Sequence, residues 1–320
     1  MSQQVCDAQQ EQVAVLGAGV IGVSWAALFA AHGCRIALYD INPLAFAAAE
    51  QQLELIRPTL LSLGLAPDSG HIVFTSNLND AVSQAHVVQE CGPDRIQIKQ
   101  RLWQEVEKSA PADALLLSSS SGITTGLQSK GMKRPERVII GHPFNPPHLI
   151  PLVEVVGGKS TPAELIQRAM SFYASVGKTP VQLHKEVPGF VANRLQAALM
   201  REATLLVKWG VVDVNELDTI VTQSIGQRWA INGPFKSFHL GGGRGGFRHF
   251  LDQFARGLQL LWVHSWVSPV FFSKGVKKKL LSQIDNSFGK DPVSELEKER
   301  DQKQIELLQT LNSAQKNSNH

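Results

Sequence analysis

At 320 residues, 43% hydrophobic and 18% charged, the chain has the make-up of an ordinary globular protein and the length of two domains. A formal net charge of +3 gives no electrostatic case for nucleic acid, and the basic run Lys277-Lys278-Lys279 reads as a solvated helix face. Three scattered cysteines, Cys6, Cys34 and Cys91, form neither a metal-ligand spacing nor an even disulfide framework, so no metal is expected and a reducing cytoplasm fits.

Residues 1–11 are polar and read as loose. The apolar run Val13-Ala14-Val15-Leu16 is a strand, and Gly17-Ala18-Gly19-Val20-Ile21-Gly22 follows it as G-x-G-x-x-G. Gly17 permits a tight turn, Gly19 lets a pyrophosphate approach the backbone, and Gly22 lets the next helix pack on the strand. That helix starts through Val20 and Ile21 and points its free N–H groups at the phosphates. A second strand, Arg35 to Tyr39, ends in Asp40, where a carboxylate accepts hydrogen bonds from ribose hydroxyls. Asp40 would repel a 2′-phosphate, and neither Ile41 nor Asn42 is an arginine, so NAD is expected rather than NADP. Residues 13–31 carry no charge and imitate a membrane span, but three glycines and an amphipathic continuation argue against one. The run also lies too far from the start for a secretory signal.

Beyond Asp40 the pattern predicts a helix over 43–63, capped by Asn42 and ended by Gly64. Strands are predicted at 71–75, 86–90, 114–117, 137–141, 152–156 and 179–183, with an amphipathic helix at 94–108. Thr161-Pro162-Ala163-Glu164 reads as a capping box that starts another helix. Strands alternating with helices imply an α/β fold, a Rossmann-type, doubly wound, mostly parallel sheet. The step Val187-Pro188-Gly189 marks the expected boundary between an NAD-binding domain, 1–187, and an all-helical substrate and dimerisation domain, 188–311.

In the second domain Ala192, Leu195, Leu199, Ala203 and Leu206 form an apolar stripe ended by Gly210. Asp213 with Glu216, and Ser294 with Glu297, look like helix starts. Residues 229–250 are rich in aromatics and glycine. The apolar run WVHSWVSPVFF at 262–272 would be a poor exposed surface, which points to a homodimer. Residues 312–320 read as a disordered polar tail.

An open parallel sheet binds ligands beyond the carboxyl ends of its strands. The glycine loop, the serine run ending at Ser121, and His142 all arrive there. A histidine can exchange a proton with an alcohol while hydride moves to a nicotinamide. Glu154, on the next strand, is the nearest candidate in sequence to fix its tautomer. On spacing alone, a packed turn histidine beside a surface acid is an equal reading.

The series GxGxxG with its acid, SSSSG, GHPFNPP with LVEVV, and VPGFVANRL resembles the L-3-hydroxyacyl-CoA dehydrogenases over about residues 12–250. The resemblance implies an active site between a Rossmann domain and a helical domain that dimerises. It implies His142 as general base and Glu154 as its orienting partner. Ser121 then hydrogen-bonds the substrate oxygen, Asn193 positions the substrate and His142, and Asn145 supports the same loop. Glu90 and Lys99 match positions that line the cofactor side.

Residues 224–250, SIGQRWAINGPFKSFHLGGGRGGFRHF, are similar to the branch that holds carnitine dehydrogenase and, more distantly, gulonate dehydrogenase and lambda-crystallin. The implied reaction interconverts a small-molecule 3-hydroxyacyl substrate and its 3-oxo form, on coenzyme A or as a free acid. Against coenzyme A, the stretch 41–76 has no lysine, and its charges are Glu50, Glu54, Arg57 and Asp68, where phosphates want cations. Trp229, Phe235, Phe238 and Phe247 could cage a quaternary ammonium, although core packing is the commoner use of such residues. Arg244 and Arg248 suit a substrate carboxylate. A crystallin-like structural protein and an NAD-sensing module are the rivals of another class, and an intact Ser121, His142, Glu154 and Asn193 set counts against both.

Overall fold

In the computed structural model, residues 11–318 are described. The first half runs β1 (Gln12–Leu16), α1 (Val20–Ala31), β2 (Arg35–Tyr39), α2 (Ala45–Ser62), β3 (His71–Thr75), α3 (Leu78–Val82), β4 (Val87–Glu90) and α4 (Ile96–Ser109). It continues with β5 (Leu115–Ser118), α5 (Thr125–Gln128), β6 (Val138–Pro143), β7 (Leu152–Gly157), α6 (Ala163–Ser175) and β8 (Thr179–Gln182). The eight strands make one sheet in the order β3-β2-β1-β4-β5-β6-β7-β8. Every neighbouring pair is parallel except β6 and β7, which are antiparallel.

Helices cover both faces, which is why β1 and β5 read as continuous apolar runs rather than alternating ones, and why β4 is buried throughout although it ends in Gln89 and Glu90. One core packs α1, α2 and α6 against the sheet through Trp25, Phe29, Ile56 and Phe172. The other packs α3 and α4 through Val82, Trp103 and Val106. Phe29 is fully buried and stacks on Trp25 at 4.9 Å, and its burial contributes about 1.5–3 kcal/mol.

Two expected helix starts differ. Asn42 does accept a backbone hydrogen bond, from Leu44 N–H at 3.2 Å, but Pro43 and Leu44 form a turn and α2 begins at Ala45. The Thr161 capping box does not form. Its hydroxyl donates to the Glu136 carbonyl and accepts from Gly158 N–H, both at 3.0 Å, so α6 starts without a side-chain cap.

The chain divides into a unit of residues 1–193 with 301–309, and a second of 194–300 with 310–320. The division falls after Asn193 rather than at Val187. The stretch past Pro188 stays with the sheet because Phe190 is buried against Ile140 and Val156, and because Glu154 binds the N–H groups of Val191 and Ala192. Residues 301–309 join the first unit, where Gln309 Nε2 donates to the Ser62 carbonyl at 2.8 Å.

The second unit is helical: most of α7 (Ala192–Trp209), then α8 (Val214–Thr222), α9 (Ile225–Ile231), α10 (Pro234–Gly241), α11 (Gly246–Val267), α12 (Lys274–Ser287) and the ends of α13 (Val293–Ser318). The expected helix start at Asp213 and Glu216 is that of α8, and the two residues form a capping box there. The helix α13 continues through the expected disordered tail as far as Ser318. In α7 the predicted stripe is not the buried face. Leu195 is 61% exposed, while Thr204, Leu205 and Val207 are buried. Phe250 is buried within a row of rings that includes Phe238, Phe247 and Phe254. Among the described residues no helix is long and apolar enough to cross a membrane.

Candidate active site

The turn between β1 and α1 is built for a close ligand. Gly17 has a φ of +116°, and a Cβ there would sit 3.0 Å from the Cys91 carbonyl. A Cβ on Gly22 would meet the Gly17 carbonyl oxygen at 1.8 Å. At Gly19 an added Cβ meets nothing within 4 Å, so that face of the turn is open. No side chain caps α1 at Gly19, and Val20 is exposed while Ile21 is half-buried. The first N–H groups of α1 are thus presented toward the open face, the arrangement that receives a pyrophosphate. Asp40 reaches back to this turn. Its Oδ2 accepts from Ala18 N–H and its Oδ1 from Asn42 N–H, both at 2.9 Å. The residues therefore fit a dinucleotide whose ribose lies against Asp40. Replacing Asp40 with Ala should relax discrimination between NADH and NADPH, chiefly by removing repulsion of the 2′-phosphate. Titration with both nucleotides measures it, and tighter NADPH binding by the unaltered protein would count against the assignment.

The antiparallel register of β6 and β7 sets His142 directly opposite Glu154. Directly opposed residues share a face, and His142 Nδ1 lies 2.9 Å from Glu154 Oε2, with both side chains buried. Glu154 Oε1 accepts from the N–H groups of Val191 at 2.9 Å and Ala192 at 3.0 Å. Burial works to raise the Glu154 carboxyl, but the hydrogen bonds from His142, Ala192 and Val191 outweigh it and hold the group below its ordinary value. An ionised carboxylate only accepts, so Nδ1–H is the donor in this bond and Nε2 is the ring nitrogen left for a ligand. Phe144 stands edge-on to the imidazole at 5.2 Å and Phe190 lies 5.4 Å away. The loop after β6 is fastened from below. Lys178 Nζ donates to the carbonyls of Pro147, at 2.6 Å, and Ile150, and lies 5.2 Å from the Trp25 ring centroid. Nothing in the sequence around Lys178 marked it for this task.

Asn193 Nδ2 reaches the Ser121 carbonyl at 3.5 Å, a weak bond. Residues 191–193 are therefore tied at one end to the partner of His142 and at the other to Ser121. That brings His142, Glu154, Ser121 and Asn193 together. Asn145 is exposed on the loop that follows β6. Arg244 lies in the second unit, on the short turn before α11.

Glu90 and Lys99, expected on the cofactor side, lie at the end of β4 and in α4. Both are buried and form an ion pair, with Lys99 Nζ 2.7 Å from each Glu90 oxygen. Beside Lys99, at 3.3 Å, stands Asp94, which sequence reasoning passed over as the start of a helix. It is half-exposed and accepts from Ser121.

Residues 12–187 match the model of the 3-hydroxyacyl-CoA dehydrogenase NAD binding domain, and residues 189–267 match that of the 3-hydroxyacyl-CoA dehydrogenase C-terminal domain. L-carnitine dehydrogenase of Oceanobacillus iheyensis is 37% identical over 302 residues, 93% of this chain and 97% of that one. The enzyme of the same name from Streptomyces coelicolor is 38% identical over 299 residues, 93% of each chain. Among solved structures, 5-formyl-3-hydroxy-2-methylpyridine 4-carboxylic acid 5-dehydrogenase, described as an NAD+ dependent dismutase, superposes with a TM-score of 0.76. It is 30% identical and the match covers 95% of this chain and 98% of that one. With the glycine turn, its acid and the two family models in agreement, this chain belongs to the 3-hydroxyacyl-CoA dehydrogenase family and is an NAD-dependent dehydrogenase acting on a CH–OH group.

Proposed function

We propose that the enzyme interconverts a small free 3-hydroxy acid and its 3-oxo form, with carnitine as the first candidate. NAD, when bound, accepts the hydride from the carbinol carbon. His142 takes the hydroxyl proton at Nε2, Glu154 stabilises the imidazolium, and Ser121 and Asn193 hold the substrate oxygen. Gly17, Gly19, Val20, Ile21, Gly22 and Asp40 hold the dinucleotide. Asn145 and Arg244 are offered as further substrate contacts, Arg244 toward a carboxylate.

The observation that carries the free-acid reading concerns Arg57, the one arginine of the stretch 41–76. Its guanidinium is held by Asp68, with Nη1 2.6 Å from Oδ1 and Nη2 on Oδ2. The stretch therefore offers no unpaired cation to coenzyme A phosphates. The names of the full-length relatives point the same way. A side-by-side test compares NAD reduction on L-carnitine, 3-hydroxybutyrate and 3-hydroxybutyryl-CoA. A free acid should be preferred by at least about a hundredfold in kcat/KM. Preference for the thioester would refute the reading.

A homodimer is part of the proposal. The second unit buries little apolar surface by itself, and Phe235, Leu260, Leu261, Trp262 and Phe271 are all more than half exposed. Such surface in a soluble protein marks an interface. Sedimentation should give a dimer at micromolar concentration, and a stable monomer would refute it. The cytoplasm is the proposed compartment, on the scattered cysteines alone.

A further inference from the structure

Past β8 the chain turns sharply beside the His142–Glu154 pair. Phe190 N–H donates to the Val187 carbonyl at 3.0 Å, with Pro188 and Gly189 between them and a φ of +75° at Gly189. That is the pattern of a type II turn, with proline at its second position and glycine at its third. Such a turn asks nothing unusual of its last residue. Phe190 nevertheless has a φ of +49°, and among the described residues no other non-glycine has a positive φ. A residue with a Cβ avoids this region on steric grounds, so a bulky one found there is held by its surroundings. Two sets of contacts hold Phe190. Its ring is fully buried against Ile140 of β6 and Val156 of β7, and lies 5.4 Å from the His142 imidazole. The chain that follows it delivers the N–H groups of Val191 and Ala192 to one atom, Glu154 Oε1, at 2.9 and 3.0 Å. Successive N–H groups beside a left-handed residue form a concave seat for an anion, and the anion seated here is Glu154. Its other oxygen, Oε2, is left to His142 Nδ1.

We propose that Phe190 is a positioning residue for the reaction: its left-handed backbone seats the Glu154 carboxylate while its ring packs beside the His142 imidazole, so that one residue holds both members of the pair. The proposal rests on the reading of His142 and Glu154 as the acid–base pair. With the turn before it fixed, a negative φ at Phe190 would rotate the ring and the following N–H groups together about the N–Cα bond. The left-handed backbone is therefore what lets the ring reach β6 and β7 while Val191 and Ala192 reach Glu154. Phe190 has no polar side-chain atom and moves no proton. It acts by limiting motion. The imidazole stands between the Phe190 and Phe144 rings, and the carboxylate has donors on both of its oxygens. A pair held in this way needs little rearrangement when the substrate proton arrives, which is where preorganised groups gain their advantage.

The test is a double-mutant cycle on the full-length enzyme, run on whichever 3-hydroxy substrate it turns over. Rates are taken per NADH site titrated, so that unfolded protein drops out. Phe190→Leu keeps an apolar side chain but loses the ring. It should lower kcat by roughly ten- to a hundredfold, the range for a misplaced reacting group. KM and NADH affinity should each stay within about twofold, because Phe190 acts on the pair and on neither ligand. In a Glu154→Gln background Phe190→Leu should cost little further, since residues that act as one unit are non-additive. A merely structural role would multiply with the Glu154 change, and that result would overturn the proposal. So would an unaltered kcat in Phe190→Leu, or a fall in NADH affinity as large as the fall in kcat. If Phe190→Leu does not fold, Phe190→Met takes its place in the cycle with the same expectations. A wrong assignment of the pair itself shows separately, as near-normal turnover in His142→Ala.

Discussion

Replacing His142 with Ala should lower turnover by a factor on the order of a hundred to ten thousand, the range for loss of a positioned acid–base group. NADH affinity should survive, because the glycine turn and Asp40 lie on other elements. Glu154→Gln preserves the shape and can still face Nδ1. It removes the charge that stabilises the imidazolium and that makes Nδ1 the protonated nitrogen, so the loss should be large but smaller. The carboxylate also binds the N–H groups of Val191 and Ala192, so truncation to Ala would loosen residues 191–193 as well, and Gln is the cleaner probe. The double variant should be little slower than His142→Ala alone, since residues that act as one unit are non-additive. Steady-state kinetics on the confirmed substrate reads all three. If His142→Ala keeps near-normal turnover, or if the two losses multiply, the pair is not the acid–base unit.

The glycine turn should separate folding from binding. At Gly22 an added methyl would lie 1.8 Å from the Gly17 carbonyl oxygen, a backbone atom that cannot move aside. Gly22→Ala should therefore destabilise the first unit by at least the roughly 1–3 kcal/mol of an overpacked core position, and lower the melting temperature with it. At Gly19 the backbone is extended and an added methyl meets nothing within 4 Å. Gly19→Ala should leave the melting temperature unaltered and weaken NADH binding by about tenfold or more, because the methyl occupies the space through which a pyrophosphate approaches. Thermal melts and NADH titrations on the two variants check the contrast. Equal melting temperatures, or full NADH affinity in Gly19→Ala, would contradict it.

Much of the nucleotide half could be read from the chain because its signals are local. The turn Gly17 to Gly22 is specified by the positive φ of Gly17, the lack of room for a Cβ at Gly22 and the open face at Gly19, and Asp40 follows from the length of one helix and one strand. Strand limits fell within a residue or two, since apolar runs buried on both faces end where the burial ends. His142 could be singled out as well, because it stands at the carboxyl end of a strand.

Its partner was a different matter. Glu154 lies 12 residues on, and only an antiparallel β6–β7 register sets the two side chains on one face; a shift of one residue would turn Glu154 away. Its place on the next strand made Glu154 a candidate and the resemblance to a family named it, but periodicity could not decide the pairing. The same holds for Asp94 and Ser121, 27 residues apart, and for Arg57, whose charge reads as available until Asp68 is seen to hold it. The hydroxyl of Thr161 shows the limit from the other side: a local capping pattern lost to a tertiary acceptor, the Glu136 carbonyl. The buried side of the sheet and the glycine turn were thus determined by the sequence itself, through conformations and burial that act within a few residues. Which polar groups meet was decided by the tertiary structure, because a hydrogen bond is directional and depends on strand register and loop path, neither of which leaves a periodic trace.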